Sequence, residues 1–312
     1  MWRAFGCLSA CLAIAAWLLA GHASADTPGL PGRLLFVKDG DLWVWEGDAA
    51  RQLATGGAWS QPTWSPDGTS LAYVYRGTNF SDIFVTDPQG ESQTRLTSSQ
   101  STILDDNDWN FRPAWSPDGG QIAFVSDRKT TYPTLWLMDA ADGTRQRAVP
   151  TPGLAQESLD ALSWSPDGAH LAVTLFGSSG PSQIAIVPVD PRLRESARVL
   201  TDRAGGALDP AWSPDGGWIA YAGREGHGSE VFASRPDGTG LTRLTSDSIM
   251  ARSPAWSPDG QHLAYLASRT GWFEVWVVDV STDAAGELAV GAPRQLTRDL
   301  HVDAASGLTW GR

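Results

Sequence analysis

Apolar positions along the chain fall in short runs rather than in helical stripes. Leu71-Ala72-Tyr73-Val74-Tyr75, Ile122-Ala123-Phe124-Val125, Leu171-Ala172-Val173-Thr174-Leu175, Ile219-Ala220-Tyr221 and Leu263-Ala264-Tyr265-Leu266 are runs of this kind, each preceded by a Pro-Asp-Gly turn. Rich in β-branched and aromatic residues and bounded by Gly and Pro, they predict strands. After a loop, each is followed by a second run: Ile83-Phe84-Val85, Leu135-Trp136-Leu137-Met138, Ile184-Ala185-Ile186-Val187, Glu230-Val231-Phe232 and Glu274-Val275-Trp276-Val277-Val278. A turn such as Asp87-Pro88-Gln89-Gly90 then leads to a short outer strand such as Thr94-Arg95-Leu96-Thr97. No amphipathic helix is read beyond the first 25 residues.

The units repeat. Trp-Ser-Pro-Asp-Gly starts at Trp64, Trp115, Trp164, Trp212 and Trp256, at spacings of 51, 49, 48 and 44 residues, and a degenerate sixth copy surrounds Trp310. Each Trp closes an inner strand, and Ser-Pro-Asp-Gly supplies the turn into the next one. Four short strands per unit predict a blade of a β-propeller. Three further strands precede the first motif: Leu34-Leu35-Phe36-Val37, Leu42-Trp43-Val44-Trp45 and Arg51-Gln52-Leu53-Ala54. They lack an inner strand, and the segment around Trp310 is an inner strand without the other three. The expected fold is therefore all-β: a six-bladed β-propeller over 33–312, closed by pairing the Trp310 strand with the N-terminal three.

Composition adds a cause for the tryptophans and a compartment. The 312 residues include 16 Trp, and one Trp wedged between sheets in each blade accounts for six of them. The net charge is −12 and only two of the bases are Lys, Lys38 and Lys129, so a phosphate-backbone footprint is missing and nucleic-acid partners are excluded. Residues 1–25 combine Arg3, an apolar run from Ala4 to Ala20, and Ala23-Ser24-Ala25 as a cleavage site, which predicts a secretory signal cut after Ala25. A short lead, 26–32, follows. Both cysteines, Cys7 and Cys11, fall inside the signal, so the mature protein has no disulfide and no thiol chemistry. No stable membrane span is expected after cleavage.

These Trp-Ser-Pro-Asp-Gly units, with stretches such as Ser268-Arg269-Thr270-Gly271-Trp272-Phe273-Glu274-Val275-Trp276, resemble the propeller repeats of the TolB-like family, whose namesake belongs to the periplasmic Tol–Pal envelope system. The resemblance covers about Arg33 to Arg312. Similar repeats build the propellers of prolyl-oligopeptidase-like peptidases. The short lead and the end at Arg312 leave room for neither the α/β domain of TolB nor a hydrolase domain, so a free-standing propeller is expected. The resemblance implies a periplasmic or secreted scaffold that binds a protein, a peptide or a cell-envelope component, with no cofactor, as a monomer.

Catalytic chemistry finds little footing. Asp67, Asp118, Asp167, Asp215 and Asp259 occupy the same turn of different blades and are assigned to turn formation. His170 and His262 flank equivalent turns in different blades, which does not suit a converging metal site. Neither a nucleophile elbow nor a phosphate-cradling Gly loop occurs. Asp105-Asp106-Asn107-Asp108 is dense enough in oxygen ligands to raise calcium, but a solvated loop is the preferred reading. In a propeller, the loops joining second to third strands and those leading into the next blade share one face around the channel. Candidate binding residues on that face are Trp59, Trp109, Arg112, Arg128, Tyr132, Asp160, Asp209, Arg224, Arg252, Arg269 and Trp272, because exposed aromatics beside Arg suit recognition. Two alternatives stand beside the scaffold. One is a propeller enzyme on an envelope carbohydrate, with Asp160 and Asp209 as acid and base across the channel. The other is a regulatory propeller for a separately encoded peptidase.

Overall fold

A computed structural model describes residues 29–56, 59–101, 107–154, 158–177, 180–190, 192–246, 250–269 and 271–312; the signal, its cleavage site, Asp105 and Asp106 lie outside them. The described residues contain strands and turns and no helix, and six antiparallel sheets are arranged as a β-propeller. The inner strands are β4 (Trp59–Trp64), β8 (Asn110–Trp115), β12 (Ser158–Trp164), β16 (Ala207–Trp212), β20 (Ala251–Trp256) and β25 (Leu308–Gly311). The first five open blades one to five, in chain order. The last joins β1 (Arg33–Lys38), β2 (Asp41–Glu46) and β3 (Ala49–Ala54) in the order β25-β1-β2-β3, the closure read from the two ends of the sequence. Leu34 lies opposite Trp310 and Arg33 opposite Gly311. Close approach at this seam requires glycine, since a Cβ on Gly311 would meet the Trp64 ring at 2.5 Å. Blade five departs from the plan: β22 (Glu274–Thr282) carries an added hairpin partner, β23 (Leu288–Val290), beyond its outer strand β24 (Arg294–Gln295).

The core consists of six slabs, each between two blades. Leu35, Val44, Trp64 and Tyr73 fill the slab between the closing blade and blade one. Leu34, Phe36, Leu266 and Val275 fill the one on its other side. The motif tryptophans wedge there as expected: Trp164 donates its ring N–H to Ala114 O of the preceding blade at 3.0 Å, and Trp256 donates to Ala211 O at 3.1 Å. Each sheet is thus buried on both faces, which explains why its second and third strands read as unbroken apolar runs.

Two devices repeat around the ring. In the motif turn, Ser65 Oγ donates to Asp67 Oδ1 (2.6 Å) and accepts from Ser70 N (2.9 Å), while Thr69 N donates to Asp67 Oδ1 (3.1 Å). Ser116, Ser165, Ser213 and Ser257 act in the same way. The second device escaped the sequence reading. Thr97, Thr201, Thr245 and Thr297 lie two residues beyond their outer strands, and each hydroxyl accepts from a third-strand amide, as Ile83 N to Thr97 at 2.9 Å. Each then donates to a side chain on that third strand: Asp82, Gln183, Glu230 or Glu274. The threonine clamps a two-residue outer strand that could not hold itself in place.

The motif carboxylates connect this geometry to pH. The Ser65 hydroxyl first, then the Thr69 amide and hydroxyl, hold Asp67 below its usual pKa; Ser116 and the Gly120 amide do so for Asp118, and Ser165 and the Ala169 amide for Asp167. A carboxylate with a lower pKa folded than unfolded contributes stability present above its unfolded value and lost as pH falls through the folded one. Urea unfolding should therefore show no loss from this source between pH 7 and 5, and a decline below about pH 4. Ser116→Ala should cost roughly 1–2 kcal/mol at pH 7 and progressively less as pH falls through the lowered pKa of Asp118 and the carboxylate becomes protonated.

Candidate functional site at the loop-side mouth of the channel

Five of the six inner strands slip register just before their Trp, as between Ser60 and Thr63 or Arg252 and Ala255, while β25 pairs without a slip. The residue three positions before the Trp has a positive φ in each blade: Gln61 (50°), Arg112 (55°), Ala161 (23°), Asp209 (54°), Ser253 (51°) and Gly307 (79°). Only Gly307 adopts this conformation without steric cost; each of the others costs on the order of 1 kcal/mol. Five of these residues sit at the bulges and Gly307 just ahead of β25, and together the six ring a cavity of about 120 Å³. At Arg112, Asp209 and Ser253 the backbone N–H leaves the strand ladder and a side chain of the preceding blade accepts from it. Gln61 Oε1 accepts from Arg112 N at 2.7 Å, Thr174 Oγ1 from Asp209 N at 3.1 Å, and Asp209 Oδ2 from Ser253 N at 3.2 Å.

Arg112 lies across this ring. Its Nε and Nη2 hold Asp160 of blade three in a fork, at 2.7 and 3.1 Å, while Nη1 reaches Ala305 O of the closing blade at 3.5 Å. Burial acts to lower the Arg112 pKa, but Asp160, with Asp209 and Asp303 behind it, overcomes burial and raises it. Asp209 is buried and accepts from Arg252 Nε and from the Ser253 amide and hydroxyl, each at 3.2 Å. Arg112, Asp160, Asp209 and Arg252 thus gather at one place, as two ion pairs.

The other candidates separate. Trp59 is not on an open face: it begins β4, is 6% exposed, and packs on Tyr73 at 4.1 Å. Its N–H groups point inward to Gly40 O and Thr55 O. Trp109 is half-buried, its backbone tied to Asp127 at 2.7 Å and bridged to Ser81. Arg128 lies over Trp136 and is paired with Asp108 at 2.7 Å; Arg269 lies 4.4 Å over Trp276 and donates to Ser246 O. These arginines brace loops. Trp272 (60% exposed) and Tyr132 (50%) do face solvent, and so does Arg224. Trp272 stacks on His301 with ring centroids 4.5 Å apart, a contact the sequence reading did not identify. His301 itself has a φ of 54°, and its N–H is fixed by buried Glu274 at 3.2 Å, so the stack is held from below.

Of the calcium candidates, Asp105 and Asp106 lie outside the described residues, and Asp108 is committed to Arg128. Among the described residues no group of three or more His, Cys, Asp or Glu could hold a metal ion. His170 and His262 pair with Glu195 (3.0 Å) and Asp279 (2.8 Å) in separate blades.

Residues 153–295 match the TolB beta propeller domain, and residues 40–151 match the dipeptidyl peptidase IV (DPP IV) N-terminal region. Residues 153–295 therefore carry TolB-type propeller repeats. It is 33% identical over 176 residues to a protein TolB homolog of Chlorobium luteolum, covering 56% of this chain and 36% of that protein. It is 26% identical over 201 residues to the Bacillus subtilis protein named uncharacterized peptidase YuxL, covering 52% and 29%. The chain therefore spans about a third of the length of these relatives. The crystal structure of TolB from Acinetobacter baumannii shares the fold, with a TM-score of 0.68 over 91% of this chain and 67% of that one at 20% identity. No helix among the described residues is long and apolar enough to cross a membrane.

Removing one member of the Arg112–Asp160 pair should leave a half-buried charge unmatched. Arg112→Ala is expected to cost about 2 kcal/mol in urea unfolding, below the range for fully buried pairs because both side chains retain some water contact. The Arg112→Ala/Asp160→Ala double variant should cost clearly less than the sum of the two single changes.

Proposed function

We propose that the chain is a non-catalytic binding scaffold, exported to the periplasm or beyond, which presents its loop-side face to a protein, peptide or cell-envelope component. The observation that carries this reading is the contrast at the channel mouth. Asp160 and Asp209, the pair an enzyme would need as acid and base, are each engaged by an arginine. The exposed Trp272–His301 stack and Tyr132 instead offer apolar area on a rigid support, the kind of surface that dominates recognition. The signal-like residues 1–25 and the Tol-Pal system named for TolB relatives such as that of Alcanivorax borkumensis support export. A second reading, a propeller that controls access to a peptidase, draws on the peptidase-named relative and the dipeptidyl peptidase match.

A photo-crosslinking residue at position 272 should trap a specific envelope partner in the native host, while one at Gln89, exposed on the opposite face, should not. Equal labelling from both positions, or none from 272, would reject the loop-side face. Mature protein from the same cells should begin at Asp26. A crosslinked peptidase would select the second reading.

A further inference from the structure

The channel has a second mouth, on the side of the motif turns. Its cavity of about 600 Å³ is lined by the motif tryptophans and prolines of blades one to five, with Trp310 and Arg312 of the closing blade. Trp115, Trp164, Trp212 and Trp310 are half-buried there, and Pro117, Pro166 and Pro214 are exposed. Successive motif turns abut: a Cβ on Gly216 would meet Pro166 of the preceding blade at 3.2 Å, and one on Gly260 would meet Pro214 at 3.3 Å. The turns therefore form an annulus around a floor of tryptophan and proline.

Charge around this floor is of one sign. Each motif proline is followed directly by the motif Asp, which is exposed in all five blades. The turn's own bonds engage Oδ1 of Asp118, Asp167, Asp215 and Asp259, and Oδ2 takes no part in them. The serine hydroxyl of the turn first, then a backbone amide, holds Asp118 and Asp167 below their usual pKa, so both are ionised at neutral pH. Arg312 is the one base on the lining, and Arg33 lies beside it, 4.1 Å over the Trp64 ring and bonded to the Arg312 carbonyl. Both belong to the closing blade. His170 and His262, next to the turns of blades three and five, are already paired with Glu195 and Asp279. An open apolar floor inside an acidic rim suits a partner that carries positive charge on an apolar body. Because the five carboxylates stand in five different blades, a small cation meets one or two of them, while an extended chain with several bases spans the arc. Tryptophan surfaces accept proline in its extended conformation, and guanidinium groups over their faces. We infer that the motif-side mouth binds an extended segment of a partner protein rich in arginine and proline. This goes beyond the loop-side reading. The mouth lies on the axis, away from the outer turn that carries Gln89, and either face can fail without the other.

Fluorescence anisotropy of a labelled peptide of alternating arginine and proline, titrated with the whole mature protein at constant ionic strength, tests the inference. Peptides of the same length in which glycine replaces the prolines, or glutamate the arginines, serve as comparisons. The arginine–proline peptide should bind saturably with a Kd on the order of 100 μM or tighter. The glycine version should bind more weakly, because nothing then covers the tryptophans, and the glutamate version should not bind. Asp118→Asn/Asp167→Asn, which keeps a side-chain oxygen for each turn, should weaken binding about fivefold, as the loss of two exposed charge pairs implies. Pro166→Arg, which places a base on the rim itself, should weaken it as well. Asp202→Asn/Asp299→Asn removes the same charge from exposed loop-side positions and should leave binding unaltered. No saturable binding of the arginine–proline peptide would overturn the inference, and so would equal binding of its glycine version. Motif-side variants that bind like wild type, or equal losses from the two double variants, would overturn it too.

Discussion

Everything in this molecule depends on each sheet having a neighbour on both faces. No blade contains a core of its own: the buried leucines, valines and aromatics lie in slabs shared between adjacent blades. A linear array of such sheets would leave two apolar faces in water and two unpaired edges, so the stack must close on itself. The antiparallel pairing of Leu308–Gly311 with Arg33–Phe36 does this. Because the sixth blade draws strands from both ends of the sequence, the slabs on either side of it form only when distant chain segments meet.

That closed ring is a scaffold, and its chemistry follows from the bulges on its inner strands. Turning one residue per blade toward the axis, in a conformation most side chains disfavour, is supported in three blades by a side chain of the preceding blade that accepts from the freed amide. The same step brings side chains from several blades within reach of one another. Arg112 can then hold Asp160 on one side and the backbone at Ala305 on the other. Charged groups at the mouth are therefore part of the ring's own structure before they are part of any interface.

How much of this could be read in advance depended on the length scale of each signal. The blade plan was legible because Trp-Ser-Pro-Asp-Gly is a contiguous string, and its turn forms from its own side chains. The six-blade count followed from strand runs at the two ends. The bulge was hidden, since Gln61, Arg112, Ala161, Asp209 and Ser253 share a conformation and not a residue type; Gly307 and the prolines after four of them were the only hints. Trp59 was misplaced because loop position and burial are different properties: a tryptophan at the start of an inner strand points into a slab. Arg128 and Arg269 looked free in sequence because the aromatic rings beneath them belong to another strand of the same blade. The Leu-Thr pairs that close four outer strands did recur visibly, yet their meaning needed the partner carboxylates and amides in three dimensions.

The seam has one more consequence. Arg33 donates to the carbonyl of Arg312, and Trp310 donates to that of Pro31, so the two ends of the described chain meet on the motif side of the ring. Joining them with a short linker and opening the chain in a loop between two other blades would keep all six slabs while giving every blade its strands from one stretch of sequence. Such a permutant would separate the stability of the ring from the entropic cost of bringing its ends together. For the same reason, a surface tether attached at either end would point the loop-side mouth outward.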